Sequence, residues 1–178
     1  MKATGIVRRI DDLGRVVIPK EIRRNLRIRE GEPLEIFVDR EGAVILKKYS
    51  PIGELSVLAQ EYAAAIYEVL EQPVFVSDRD NIVAAEGVAK RDYIGRAIGR
   101  LPEKAMAERR FLVRGSDEAD SIFLDTAEDA DQYRLAVPVV VQGDPVGAVM
   151  LCGPEEMGDA QIKVALSAAA VLARHMEN

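Results

Sequence analysis

The stretch from Gly14 to Arg24, GRVVIPKEIRR, constrains the fold of this chain more than any other segment. Gly14 suits a tight turn, because glycine adopts positive φ without penalty. The β-branched residues from Val16 to Ile18 favour a strand. Pro19 cannot donate to a sheet ladder but suits the first position of a helix. The segment therefore predicts a turn, a strand and a helix start in immediate succession.

The helix that follows combines apolar and basic residues. Ile22 and Leu26 are four residues apart, so both are predicted to face a core. Arg23, Arg24 and Arg27 then point elsewhere. The pattern predicts arginines held on a rigid frame and presented to a negatively charged partner.

Charge is divided unevenly along the chain. Residues 1–50 carry 12 Lys and Arg against 8 Asp and Glu, a net charge of +4, whereas the remainder carries 12 against 22, a net charge of −10. This asymmetry indicates a basic module joined to an acidic one. Composition alone equally allows both halves to be ordinary solvated surface.

The first fifty residues predict four short strands and one small helix. The strands are expected at Ala3–Ile10, Val16–Ile18, Leu34–Val38 and Ala43–Tyr49, with a turn at 40–42. So few elements enclose a poor core on their own. We therefore expect an obligate dimer in which two copies interleave to form one shared β-barrel. Residues 51–54, which contain Pro and Gly, are expected to form a linker.

The remainder, residues 55–178, predicts an antiparallel sheet flanked by helices, so the chain as a whole is α+β. Helices are expected from Glu54 and over 158–176, and strong strands over 133–141 and 146–152 around a turn. Each of these two helices carries an apolar stripe. The stripes comprise Leu55, Leu58, Tyr62, Ile66 (or Ala65) and Val69, and Ile162, Leu166, Ala169, Leu172 (or Ala173) and Met176. They are predicted to meet in a helix bundle between copies, which turns two dimers into a tetramer. Packing of the first stripe on its own domain remains the alternative.

The motif GRVVIPKEIRR, preceded by MKATGIVRRIDDL and followed by LEIFV and VILKKY, resembles the AbrB-type transition-state regulators of spore-forming bacteria. The resemblance covers about the first fifty residues and implies a swapped-hairpin barrel that binds double-stranded DNA as a dimer. The full-length layout is similar to family members with a GAF-like second domain and a tetrameric assembly.

The resemblance also implies the DNA-contacting residues. They are Arg8, Arg15, Arg23 and Arg24, with Lys2, Arg9, Arg27 and Lys47 as further candidates. A guanidinium group can clamp a phosphate or a guanine edge with two hydrogen bonds. The competing interpretation is a solvated helix face in which Arg23 and Arg24 pair with Glu21 or Glu30.

Catalysis is not expected, because the residues that would support it are few. The single histidine, His175, offers little material for a triad, and the single cysteine, Cys152, excludes an intrachain disulfide and a cysteine-based zinc cage. Cys152 is expected as a buried filler and His175 as a surface residue. The acidic run Asp117, Glu118 and Asp120 is expected to be solvated, so no metal and no cofactor are predicted.

Three functions compete at this point. The first is a DNA-binding transcriptional regulator of sporulation genes whose second domain assembles copies and senses a small, unidentified effector. The second is an antitoxin-like autoregulator, disfavoured because such proteins usually carry a disordered tail. The third is an enzyme on a GAF-like sheet, such as a sulfoxide reductase. No membrane-crossing run or signal peptide is found, so a cytoplasmic, nucleoid-associated protein is expected.

Overall fold

The computed structural model describes residues 5–54, 56–115, 120–124 and 132–177. Its contacts divide the chain into two compact units, Met1–Tyr49 and Ser50–Asn178, called here the first and the second unit. Four residues singled out above lie outside the described residues: Lys2, Leu55, Asp117 and Glu118.

The first unit contains helix α1 (Lys20–Asn25) and an antiparallel hairpin of β1 (Leu34–Val38) and β2 (Val44–Lys48). The hairpin turn is closed by Asp39, whose Oδ1 accepts the backbone N–H groups of Glu41 (2.9 Å) and Ala43 (2.8 Å). Gly42 adopts φ +84° there, which a residue with a Cβ takes up at a cost. The predicted third and fourth strands and their turn are confirmed.

The first two predicted strands are wrong for the single chain. Among the described residues of 5–19, none lies in a strand, and Ile22 and Leu26 are not buried. Strands need a partner edge for their N–H and C=O groups, and the hairpin of the same chain does not supply one to these segments. The apolar pattern is present, but the surface that would complete it is not part of this chain's own fold.

The second unit holds most of the regular structure. Its helices are α2 (Pro51–Glu54), α3 (Ser56–Leu70), α4 (Arg100–Glu108) and α5 (Asp159–Glu177), and a short 3₁₀ turn covers Lys90–Asp92. Its strands are β3 (Val74–Ser77), β4 (Ile82–Glu86), β5 (Leu112–Arg114), β6 (Tyr133–Val141) and β7 (Asp144–Gly153). They form one antiparallel sheet in the order β4-β3-β7-β6-β5.

The sheet of the second unit is covered on both faces. Helices α3 and α5 pack on one face and α4 on the other. Each face has its own core cluster, one around Val149 and Leu172 and the other around Phe75 and Leu101. Because both faces are buried, strand β7 has buried residues on both sides, from Val146 to Gly153.

The segment predicted as a linker, 51–54, forms α2 and packs into the second unit. Ile52 is fully buried in its core, against Gly147 of β7. A Cβ at Gly147 would collide with the Ser77 carbonyl oxygen on the neighbouring strand and with the Ile52 side chain. The glycine is therefore required by close backbone approach, and Ile52 ties the chain to the second unit as soon as it leaves the first.

The apolar stripes of the two long helices are only partly buried. In α3 the buried residues are Ala59, Ala63 and Ile66, while Val69 is 72% exposed. In α5 the buried residues are Ala165, Ala168, Ala169, Leu172 and Ala173, while Leu166 is 40% exposed. Each helix thus packs inward mainly through small residues and leaves larger apolar side chains outside. No helix in the described part of the chain is long and apolar enough to cross a membrane.

Candidate DNA-binding surface

Helix α1 presents Arg23 and Arg24 in its last turn, and both are exposed. Pro19 precedes the helix with φ −57° and ψ 148°, so the chain enters α1 from an extended conformation. Among the described residues, no salt bridge joins either arginine to Glu21 or Glu30. The competing interpretation, a self-neutralised helix face, therefore has no support in this geometry.

Helix α1 ends in a Schellman motif, which fixes the direction of the chain after the arginines. The Ile28 N–H donates to the Arg23 carbonyl (2.7 Å), and the Arg27 N–H donates to the Arg24 carbonyl (3.2 Å). Arg27 occupies the left-handed position with φ 52°, where glycine is the usual residue. The Arg27 carbonyl in turn accepts a hydrogen bond from Lys48 Nζ (2.8 Å), which ties the helix end to strand β2.

Arg8, Arg9 and Arg15 lie on either side of the turn at residues 11–14, and all three are exposed. Gly14 adopts φ +76° in this turn, in agreement with the role predicted for it. Arg8 Nη1 donates to the Val7 carbonyl (3.1 Å), and Arg15 Nε donates to Asp11 Oδ2 (2.8 Å). The turn thus exposes three guanidinium groups on a short loop.

Lys47, the last further candidate in the described part, lies on strand β2. Its ammonium group sits 4.8 Å from the centroid of the Phe37 ring on β1, a cation–π contact that stabilises a positive charge on the hairpin. All seven described candidates therefore belong to the first unit, and all are exposed. Lys2 lies outside the described residues.

Sequence reasoning missed Asp11 as a partner of Arg15. The pKa of the Asp11 carboxyl lies below its ordinary value, because the Arg15 backbone N–H and then the Arg15 side chain hydrogen-bond to its charged form. The available signal was an aspartate four residues before an arginine, with a glycine between them at the position that closes the turn.

The second unit has an apolar groove between α3 and α5. The groove has a volume of about 340 Å³. Tyr62, Ala65 and Ile66 line it from α3, and its α5 side is formed by Lys163, Val164, Ser167, Ala168 and Val171. Two of the residues predicted for oligomerisation, Tyr62 and Ile66, thus lie in the groove wall. Leu58 and Ile162 are half-buried against the same core, and Leu55 lies outside the described residues.

The opposite, α4 face of the sheet is filled by aromatic side chains. The rings of Phe75, Tyr93 and Phe123 lie with centroids 5.1–5.3 Å apart, and the Arg96 guanidinium stacks on two of them, at 5.2 Å from Tyr93 and 5.1 Å from Phe123. Aromatic packing of this kind stabilises the domain interior.

The remaining residues considered for chemistry have structural positions. Cys152 is buried in the α4-side cluster, and His175 is exposed near the end of α5 with Nδ1 2.9 Å from the Val171 carbonyl oxygen. Asp120 Oδ2 is held by Lys104 Nζ (2.8 Å) and Arg114 Nε (3.2 Å). Within the described residues, no group of three or more His, Cys, Asp or Glu side chains is arranged to hold a metal ion.

Comparison with family models divides the chain at residue 54, a few residues after the boundary between the two units. Residues 54–177 match the model described as "Stage V sporulation protein T C-terminal, transcription factor", and residues 7–54 match "Antidote-toxin recognition MazE, bacterial antitoxin". The first match covers well over half of the chain.

Individual proteins match either the whole chain or a segment of about fifty residues. Stage V sporulation protein T of Bacillus subtilis (strain 168) is 51% identical over 178 residues, with 99% of each chain covered. The transition state regulatory protein AbrB of the same organism is 65% identical over 51 residues, 29% of this chain and 52% of that protein. The resemblance of the first fifty residues to AbrB-type regulators is thereby confirmed.

The fold of the second unit is also found in solved structures. The GAF domain of an Acinetobacter phosphoenolpyruvate-protein phosphotransferase superposes with a TM-score of 0.58 at 11% identity, over 73% of this chain and 84% of that one. At this identity the likeness shows the fold alone. The predicted GAF-like second domain is confirmed.

Proposed function

We propose that this chain, which belongs to the family of stage V sporulation protein T, is a DNA-binding transcriptional regulator of sporulation genes with a GAF-like assembly and sensory domain. One observation carries the proposal. The segment most similar to AbrB places Arg8, Arg15, Arg23 and Arg24 on exposed loops and a helix end. Guanidinium groups placed in this way suit phosphates and base edges.

The first unit is proposed to act as a dimer. Thirteen large apolar side chains between Ile6 and Tyr49 are exposed in the single chain. Burying half of them would contribute on the order of 10 kcal/mol, as much as the whole stability of a typical domain. A second copy that interleaves with the first covers this surface and doubles the number of arginines. Two copies of the four arginines make eight cationic contacts.

The second unit is proposed to join two such dimers into a tetramer. Its α3–α5 face leaves Val69 and Leu166 exposed beside the apolar groove. Helix α3 exposes the acidic residues Glu61 and Glu68, whereas the acidic and basic residues of α5 balance, and its Lys163 is paired with Asp159 at 3.4 Å. A second copy packed on this face can cover Val69 and Leu166.

The sensory role of the second unit is proposed on its fold and on its groove. The α4 face is packed with the rings of Phe75, Tyr93 and Phe123, whereas the α3–α5 groove is open and apolar. An apolar effector of unknown identity would therefore act at the helix face on which assembly depends. No catalytic role and no cofactor are proposed, and a cytoplasmic location at the nucleoid follows from the proposed function.

The antitoxin-like alternative has one observation in its favour, the MazE match over residues 7–54. This match covers only the DNA-binding unit. The second unit is a folded sheet with two cores and matches a transcription-factor model over 54–177. A toxin-wrapping tail would lack such cores, so the regulator is the proposed function.

The proposal is tested by enriching duplexes from fragmented genomic DNA with the full-length protein and measuring their affinity by fluorescence anisotropy. We expect Arg23→Ala to weaken binding at least about 30-fold, because each dimer loses two contacts worth roughly 1–3 kcal/mol apiece. If about eight phosphates are neutralised, log K should fall against log salt with a slope near −7. Arg40→Ala, an exposed arginine of the same unit outside the proposed set, is the matched control. Equal affinity of Arg23→Ala and Arg40→Ala would contradict the proposal.

A further inference from the structure

The turn at residues 11–14, between the first two strands predicted from the sequence, is held together by one residue, Asp11. Its backbone N–H donates to the Arg15 carbonyl (3.1 Å), and its carbonyl accepts from the Gly14 N–H (3.0 Å). Its side-chain Oδ1 accepts the backbone N–H groups of Leu13 (3.0 Å) and Arg15 (2.8 Å). Oδ1 of Asp11 thus stabilises the conformation of the loop.

The other carboxylate oxygen holds the side chain of Arg15. Asp11 Oδ2 accepts the Nε–H of the guanidinium at 2.8 Å, which is the side of the group rather than its end. A guanidinium carries five N–H bonds, so four remain on Nη1 and Nη2. These four form the end that offers two parallel hydrogen bonds to a phosphate or to O6 and N7 of guanine. The Arg15 side chain is 69% exposed, which leaves this end accessible.

Arg15 differs in this respect from the other three arginines of the proposed set. Arg8 is bonded to the carbonyl of its neighbour Val7, and Arg23 and Arg24 extend from the last turn of α1. As far as the described residues go, Arg15 alone of the four is held by a carboxylate. A negative charge beside a DNA-binding residue repels phosphate, so its presence needs a compensating role.

We propose that Asp11 is a positioning residue for DNA recognition, which holds Arg15 by its Nε side so that the guanidinium end meets a paired acceptor on the duplex. The inference rests on the proposed DNA-binding function. A free arginine side chain loses rotamer entropy when it is immobilised. An arginine already fixed by Asp11 has lost part of that freedom before DNA arrives. The Asp11 carboxylate therefore weakens the general attraction of the loop for phosphate, but it fixes the position of the Arg15 guanidinium for one specific contact.

Two substitutions separate positioning from charge. Asp11→Asn keeps one oxygen that can accept the loop N–H groups, but its NH₂ group cannot accept the Nε–H of Arg15. Asp12→Asn removes the same charge from the neighbouring exposed residue and leaves the Asp11–Arg15 contact in place. Any difference between the two variants reports the contact rather than the charge.

The experiment uses the full-length protein and two duplexes of equal length. One is selected by the wild-type protein from a random library, and the other is a scrambled version of it. We expect Asp12→Asn to tighten both duplexes slightly, and Asp11→Asn to bind the selected duplex about tenfold more weakly than Asp12→Asn does. A loss confined to the selected duplex identifies a base edge as the acceptor, and an equal loss on both identifies a phosphate.

The same pair is then measured in an Arg15→Ala background. There Asp11→Asn and Asp12→Asn should bind alike, because the residue through which Asp11 acts has been removed. The inference is overturned if the two variants bind alike with Arg15 present, or if the tenfold difference persists in the Arg15→Ala background. A wild-type protein that binds neither duplex would instead overturn the proposed function itself.

Discussion

The first unit leaves thirteen large apolar side chains exposed, whereas the second encloses most of its own in two clusters, one on each face of a sheet. None of residues 5–49 is buried. In the second unit Val74, Leu135 and Leu172 are each fully covered. A single copy of the chain therefore suffices to form the core of the second unit but not a core for the first.

Their sheet edges differ in the same way. Strand β4 is an edge strand of the second unit, and Gln60 of α3 covers it. Its Nε2 donates to the Ala85 carbonyl (3.1 Å), and its Oε1 accepts the Ala85 N–H (3.3 Å), as a neighbouring strand would. In the first unit β1 and β2 pair only with each other among the described strands. An edge that is left open favours pairing with another chain.

From this difference we expect the stability of the first unit to depend on protein concentration more strongly than that of the second. A fold completed by a second copy is stabilised by mass action. DNA binding would then be available only to assembled protein, and the second unit can raise the local concentration of the first. The comparison can be tested at four places, taken here from the largest expected effect to the smallest.

The largest effect is expected at Ile36, which is 66% exposed on β1. In a monomer, Ile36→Asp would change stability by less than about 0.5 kcal/mol. If the side chain is buried in a dimer, the substitution places an unpaired charge in a core and costs more than about 4 kcal/mol. We expect the thermal transition of the first unit in the full-length protein to be lost, with loss of DNA binding.

The matched control lies in the second unit. Ile94 is 48% exposed in the segment that leads to α4. Ile94→Asp should leave both transitions within about 0.5 kcal/mol of the wild type, because an exposed position has little to lose. Differential scanning calorimetry at several concentrations measures both variants. Equal behaviour of the two would show that the first unit is complete by itself.

The next effect concerns Leu166, exposed on α5 beside the groove. If this face joins two dimers, Leu166→Glu should weaken the association by roughly 2–3 kcal/mol and shift the mass from tetramer to dimer. Leu124→Glu is the control, since Leu124 is similarly exposed but follows Phe123 of the α4-side cluster. Sedimentation at micromolar concentration distinguishes them, and a tetrameric Leu166→Glu variant would count against the helix interface.

The second unit was easier to predict from sequence than the first, and the reason is physical. The antiparallel strands Tyr133–Val141 and Asp144–Gly153 bury their residues within the chain, so hydrophobic pattern and structure agree. Ala3–Ile10 and Val16–Ile18 have the same β-branched character, yet the described part of both remains outside any strand. A hydrophobic pattern shows that a segment can form a strand, but it does not show whether the strand that pairs with it belongs to the same copy of the chain.

The candidate site shows the same limit. Exposure of Arg23 and Arg24 follows from their helical spacing to Ile22, and the start of their helix was predictable from Pro19. Two features were not predictable. The left-handed conformation of Arg27 depends on hydrogen bonds to the α1 carbonyls, and the hold of Asp11 on Arg15 depends on how the turn closes. Both features depend on the backbone conformation of a turn, which the residue types alone do not determine.

A smaller effect is expected at Asp120, whose ion pairs with Lys104 and Arg114 lie within the second unit. The hydrogen bond from Lys104, and then that from Arg114, hold the pKa of its carboxyl below the ordinary value of 3.8. A lowered pKa contributes stability that is present above pH 3.8 and is lost as the pH falls through the folded value. Asp120→Asn should therefore cost about 1–2 kcal/mol at neutral pH and progressively less in acid.

Asp144→Asn, which removes an exposed carboxylate at the start of β7, is the control and should change little at any pH. Unlike the effect at Ile36, the Asp120 effect should be independent of protein concentration. Urea denaturation between pH 3 and 7 measures it. A difference between Asp120→Asn and the wild type that grows as the pH falls would contradict the assigned pairing.

The smallest effect compares two arginines in the same conformation, one in each unit. Arg27 after α1 and Arg109 after α4 both adopt φ 52°, and both helices end in the same pair of hydrogen bonds, from Arg27 and Ile28 in one and from Arg109 and Arg110 in the other. A left-handed conformation costs a residue with a Cβ about 1 kcal/mol, which glycine avoids. Arg27→Gly and Arg109→Gly should each stabilise their own unit by about 0.5–1 kcal/mol.

DNA binding then separates the two variants. Arg27→Gly also removes a cation from the proposed DNA-binding surface, so the salt slope of binding should become shallower by about 1 for each phosphate that is no longer neutralised. Arg109→Gly removes the same charge from the second unit and should leave the slope unchanged. If both variants gain stability but only Arg27→Gly changes the slope, the strained arginine after α1 is retained for its charge. If the two variants have the same salt slope, Arg27 lies outside the DNA-binding surface, and that surface includes fewer residues of the first unit than proposed.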